Sequence, residues 1–121
     1  MKDFRQLKVW EEAHRLALLV YRLTGTFPKE ELYGMVSQLR RASFSIPANL
    51  AEGCGRDGDK ELARFVQIAM GSACELEYFL LLARDLRMLS DAQHSEANGT
   101  TVAVKKMLAS LLRRLRATSR V

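Results

Sequence analysis

Residues 59–86 read DKELARFVQIAMGSACELEYFLLLARDL. Within them Leu62, Phe65, Ala69, Ser72, Leu76, Phe79, Ala83 and Leu86 recur in alternating steps of three and four. That is the repeat of a single helix face, because successive side chains turn about 100° around an α-helix and about 180° along a strand. Val66, Ile68, Met70, Leu80, Leu81 and Leu82 widen the apolar face. Gly53, Gly55 and Gly58 break the chain upstream, and Asp57 or Asp59 can serve as N-cap. The stretch predicts a helix over about 58–88. No alternating strand-like run occurs elsewhere, so the fold class is all-α.

Upstream, Leu32, Val36, Leu39, Ser43, Ile46, Leu50 and Gly53 form a second seam of the same spacing. It predicts a helix over about 29–53, opened by Pro28, where a missing N–H costs little. Ser43 and Gly53 are small and allow close helix approach. Pro47 lies inside the seam without shifting its phase, which predicts a kink rather than a break. A first helix over about 5–24 carries a polar stripe of Lys8, Glu11, Glu12, Arg15 and Arg22. The rest of its circumference is apolar over roughly 200°, more than one packing face requires. Downstream, Thr101, Val104, Leu108, Leu111 and Leu115 mark a fourth helix over about 91–117, capped by Ser90 or Asp91. Asn98-Gly99-Thr100-Thr101 weakens its early turns, but Ala97 keeps the phase of the later seam. Long helices on short loops give an antiparallel up-down-up-down four-helix bundle, one domain over 1–121.

Composition agrees. The 121 residues are 48% hydrophobic and 27% charged, enough for one self-sufficient core. Aromatics at 7% argue against a platform of stacked rings for nucleobases. No stretch approaches the ~18 uncharged apolar residues of a membrane span, and residues 1–6 lack the apolar core of a signal peptide. A soluble, cytoplasmic protein is expected. Cys54 and Cys74 match no zinc or redox spacing and read as buried free thiols. His14 falls in the apolar arc of the first helix and reads as a core or interface histidine. With His94 as the only other one, the chain offers no His-based metal site. No metal or cofactor is expected.

The net charge of +5 is uneven. Residues 100–121 contain Lys105, Lys106, Arg113, Arg114, Arg116 and Arg120 and no acid, leaving the remainder near neutral. Guanidinium groups fork onto phosphate oxygens, so this helix is suited to tracking a nucleic-acid backbone. The same charge also suits an anionic membrane surface, an acidic protein surface or a solvated face that complements the helix end. A second constellation, Gln38, Arg41, Ser45, Asn49 and Glu52, falls on one face of the second helix. Together with Arg40 it reads as a buried polar network fixing register or subunit contact. Glu75 or Glu77 are its expected partners for Arg40 or Arg41. Gly71-Ser72 opposite reads as a close-packing notch. Gly53-Cys54-Gly55-Arg56-Asp57-Gly58 spells GxGxxG, with Glu75 about twenty residues on. A dinucleotide site needs a strand before the glycines, and here a helical seam precedes them, so a C-cap and turn is the reading. No nucleophile–base pair or flanking carboxylates appear, so no catalytic residues are assigned and no enzyme is expected.

Four stretches carry a family resemblance. They are residues 4–10 (FRQLKVW), 27–34 (FPKEELYG), 38–53 (QLRRASFSIPANLAEG) and 65–72 (FVQIAMGS). They resemble the four-helix-bundle proteins of the 23S ribosomal RNA intervening-sequence family, and more distantly the accessory variability protein of diversity-generating retroelements. The resemblance implies a bacterial, cytosolic bundle that assembles as a homo-oligomer, a pentameric ring in related proteins. It assigns no activity. Such a ring gives the surplus apolar arc of the first helix a role, with Trp10, Leu18 and Tyr21 as interface anchors. The expectation is a non-enzymatic oligomer binding RNA or DNA backbone through its fourth helix, or a scaffold for another protein.

Overall fold

A computed structural model describes residues 2–118. Four α-helices follow in order: α1 (Lys8–Thr24), α2 (Ser37–Cys54), α3 (Gly58–Asp85) and α4 (Asp91–Thr118). No strand occurs among the described residues. Each helix packs on its sequence neighbours, and α4 returns to α1 to close an antiparallel bundle. Leu16 and Val20 of α1, Leu39, Ile46 and Leu50 of α2, Val66, Leu76 and Leu80 of α3, and Val104 and Leu108 of α4 are wholly enclosed. Each of these side chains stabilises the fold by about 1.5–3 kcal/mol on leaving water.

Three polar side chains share this core, Thr24, Ser43 and Thr101. Each hydroxyl bonds back to a carbonyl of its own helix: Thr24 to Val20 (2.8 Å), Ser43 to Arg40 (2.8 Å) and Thr101 to Ala97 (2.8 Å). Among the described residues no buried side-chain polar atom lacks a partner, so none carries an uncompensated desolvation cost.

Helix ends differ from the expected boundaries for local reasons. The chain before α1 is a short 3₁₀ turn, Phe4–Gln6, capped by Asp3, whose carboxylate accepts the Arg5 N–H at 3.0 Å. Leu7 is extended, so α1 begins at Lys8. The segment 29–36 is not regular α-helix. A 3₁₀ turn (Lys29–Glu31) leads into a π-turn (Leu32–Val36), where Gly34 takes φ −110° and ψ −108°. Glycine adopts such geometry without a β-carbon clash, and the Glu31 carboxylate accepts the Met35 N–H at 3.3 Å. Leu32 is consequently exposed rather than part of the seam. α2 runs on through Pro47 without a break.

α3 stops at Asp85 because Arg87 adopts φ 63°. The Met88 N–H then reaches the Ala83 carbonyl (2.8 Å) and the Arg87 N–H the Arg84 carbonyl (2.9 Å), a Schellman cap built without glycine. Leu86 is left exposed beyond it. Ser90 and Gln93 then form a reciprocal capping box for α4. The Gln93 N–H donates to the Ser90 hydroxyl (3.1 Å), and the Ser90 N–H donates to the Gln93 side chain (2.9 Å). α4 is continuous through Asn98 and Gly99. By length and composition α3 is apolar enough to cross a membrane, but it packs against both α2 and α4 and supplies core residues of the bundle.

The GxGxxG glycines serve helix packing and turning. A β-carbon on Gly53 would lie 2.7 Å from the Phe65 β-carbon and 2.9 Å from Leu62 Cδ1, so the last turn of α2 sits directly on the first turns of α3. Gly58 turns into α3 with φ +82°. Asp57 precedes it in extended conformation and makes no side-chain cap bond.

Two glycine substitutions should therefore act in opposite directions. Gly53→Ala is expected to lose about 1–3 kcal/mol from overpacking. Gly99→Ala, whose β-carbon would meet nothing within 4 Å, is expected to gain about 1 kcal/mol of helix propensity. Urea titrations of both variants check the pair.

Candidate nucleic-acid interface

The antiparallel topology places the start of α1, the end of α2, the start of α3 and the end of α4 at one end of the bundle. Cations from all four converge there. Several are matched: Arg56 with Glu52 (2.9 Å), Arg64 with Glu61 (3.1 Å), Arg5 with Asp3 (3.4 Å) and Lys2 with Asp59 (3.6 Å). The Arg64 hydrogen bond holds the Glu61 carboxyl below its ordinary range and lifts the Arg64 guanidinium. Lys8, Lys60, Arg113 and Arg114 are exposed and make no ion pair or side-chain hydrogen bond. Their charge is free for an outside anion.

The basic residues expected on α4 thus divide. Lys105 is half-buried and donates to Glu77 of α3 at 2.7 Å. That bond raises the lysine pKa above its ordinary value of 10.5, against a smaller opposing effect of burial. Arg116 donates to the Gln67 side chain of α3 at 3.0 Å. Both therefore tie α4 to α3. Lys106, Arg113 and Arg114 face solvent. Arg120 lies outside the described residues. Lys8 and Lys60 were not legible as members of this surface, because each belongs to another helix and only the topology brings them to α4.

The polar stripe of α2 is distributed over several contacts. The Ser45 and Ser72 hydroxyls share a hydrogen bond of 2.7 Å between α2 and α3. Asn49 donates to the Ser45 carbonyl (2.8 Å) and hydroxyl (3.1 Å). Arg40 turns to α1 instead of α3. It donates to Thr24 Oγ1 (2.9 Å) and the Tyr21 carbonyl (3.3 Å), with its guanidinium 4.5 Å from the Tyr21 ring centre. A cation at the Tyr21 carbonyl, in the last turn of α1, complements the C-terminal dipole of that helix. Gln38, Arg41 and Glu75 are exposed, and Glu52 is engaged by Arg56. No pairing of Arg40 or Arg41 with Glu75 or Glu77 forms, since Glu77 is held by Lys105 and Arg40 by α1.

Two further readings are corrected, that of Cys74 and the core alternative for His14. Cys74 is exposed, whereas Cys54 is buried; both thiols are free. Burial pushes the Cys54 thiol up. His14 is exposed, stacked on Trp10 with ring centres 5.0 Å apart and planes 7° from parallel. Trp10 also meets Phe4 at 4.8 Å and is partly buried, while Leu18 and Tyr21 are exposed. Among the described residues no group of three or more His, Cys, Asp or Glu is placed to hold a metal ion.

Comparison with known proteins agrees with this architecture. The family model described as 23S rRNA-intervening sequence protein matches residues 5–110. A solved structure from Bacteroides thetaiotaomicron VPI-5482, described as a protein with unknown function from the S23 ribosomal protein family, is 22% identical. It aligns with a TM-score of 0.77, covering 86% of this chain and 97% of that one. At that identity the likeness concerns the fold. No curated protein matches the sequence.

The Lys105–Glu77 pair supplies a pH test. Its lysine pKa is raised in the folded state, so its contribution is complete below the ordinary value and disappears as pH rises through the folded one. Glu77→Gln is expected to cost about 0.5–1 kcal/mol at pH 7. The difference from the parent protein should vanish well above pH 10.5, as read by denaturant titration at both pH values.

Proposed function

The chain belongs to the 23S rRNA-intervening sequence protein family, and from that premise we propose a non-enzymatic, homo-oligomeric protein that binds the phosphate backbone of RNA or DNA. The observation carrying this reading is the group of unpaired cations Arg113, Arg114, Lys8 and Lys60 at one end of the bundle. Exposed guanidinium and ammonium groups displace condensed counterions from phosphates without reading bases. Matched pairs such as Arg56–Glu52 contribute little to such a field, and the free ones dominate it. A cytoplasmic setting suits the two free thiols.

Self-association is supported by apolar surface left uncovered. Tyr21, Leu32, Tyr33 and Phe44 line one groove of about 400 Å³ between α1 and the start of α2, and Tyr33 is 92% exposed. Ile68, Tyr78 and Leu81 are exposed on α3. Exposed apolar side chains on unlike surfaces of one chain suit a head-to-tail contact, which closes into a ring when the rotation permits; a pentamer is the ring proposed. Of the three expected anchors, Tyr21 lines this groove, Leu18 is exposed beside α4, and Trp10 packs into its own chain. A ring repeats the basic end around one axis and adds avidity.

Two measurements test the proposal. Fluorescence anisotropy with labelled structured RNA should give a log–log salt slope of about −2 to −3, at roughly 0.7 per phosphate contact. Replacing Arg113 and Arg114 with Gln should flatten it by about 1.4. Absence of binding at low salt overturns the backbone reading and leaves docking to an acidic protein. Light scattering should give a mass several times 13.7 kDa, collapsing to monomer when Tyr33 and Phe44 both become Asp. A monomeric parent protein overturns the oligomer.

A further inference from the structure

A groove of about 350 Å³ runs between the start of α1 and the last turns of α4. The extended Leu7, which separates the 3₁₀ turn from α1, lies at its edge. It is lined by Lys8 from α1 and by Arg114 and Ser110 from α4, together with the apolar Leu7, Met107 and Leu111. Lys8 and Arg114 make no ion pair or side-chain hydrogen bond. A surface that only tracks phosphates has no use for apolar side chains beside its cations. This one combines cations from two helices with a recess of small-ligand size that apolar side chains also line.

We propose that this groove seats one nucleotide of a single-stranded chain, its phosphate between Lys8 and Arg114 and its sugar–base face against Leu7 and Met107. This rests on the backbone-binding reading above and narrows its ligand. A base stacked inside a duplex cannot enter a recess of this size, whereas an unpaired one can turn into it. Removing that face from water against those apolar side chains adds an affinity increment that duplex lacks.

The test compares a 12-nucleotide single-stranded RNA with a duplex of the same length by anisotropy, on the full chain. The parent protein is expected to favour the single strand about tenfold. Ser110→Trp fills the recess and keeps every cation; it should abolish that preference while leaving duplex affinity and its salt slope unchanged. Lys8→Gln, an exposed change on the first turn of α1, should weaken the single strand more than the duplex. It carries the test if the tryptophan variant loses its helical circular-dichroism spectrum. Equal affinity of the parent for both RNAs, or a preference surviving both variants, overturns the nucleotide seat and leaves the backbone reading standing. Absence of binding to either RNA overturns both.

Discussion

The bundle depends on how closely α2 and α3 approach. At Gly53 the two helices meet with no space for a β-carbon. About two turns earlier in α2, the Ser45 and Ser72 hydroxyls bridge them directly. Small side chains at such a crossing bring backbones near enough for many weak dispersion contacts to act together, and a hydroxyl pair adds a directional constraint on register. Once that register is set, Ile46 and Leu50 of α2 and Val66 and Leu76 of α3 share the sealed core. The positions of α1 and α4 follow from the short connections at either end.

That register also decides the electrostatics. It orients α3 so that Glu77 and Gln67 lie under Lys105 and Arg116. Two of the basic side chains of α4 therefore fasten helices together, and the outward charge is carried by Arg113, Arg114 and Lys106, with Lys8 and Lys60 arriving from elsewhere. Charge on one helix is thus partly internal structure and partly surface. The division is set by the neighbouring helix.

Much of the fold was legible because periodicity reports burial directly. Leu62, Ala69, Leu76 and Ala83 of the α3 seam, and Thr101, Val104, Leu108, Leu111 and Leu115 of α4, are buried as their spacing requires. The misreadings share a cause. Spacing identifies a helix face and leaves its neighbours unnamed, so Arg40 was assigned to α3 when it reaches α1, and Cys74 was placed inside when it lies outside. Leu32 and Leu86 keep the phase of their seams, but backbone geometry at Gly34 and Arg87 takes them out of the helices that would have buried them. Of the interface, the exposed Arg113 and Arg114 were readable on α4. Lys8 and Lys60 were not, because membership depends on which helix ends come together.

The sequence-neighbour packing of the helices has a kinetic consequence. Most of the interhelical contact is made by α2 with α3 and by α3 with α4, each pair joined by a short turn. The closing contact of α1 with α4 is the one that spans the length of the chain. Low contact order of this kind places folding in the microsecond-to-millisecond range. The contacts of α2 with α3 span little sequence, so the tight crossing at Gly53 requires no residue of α4.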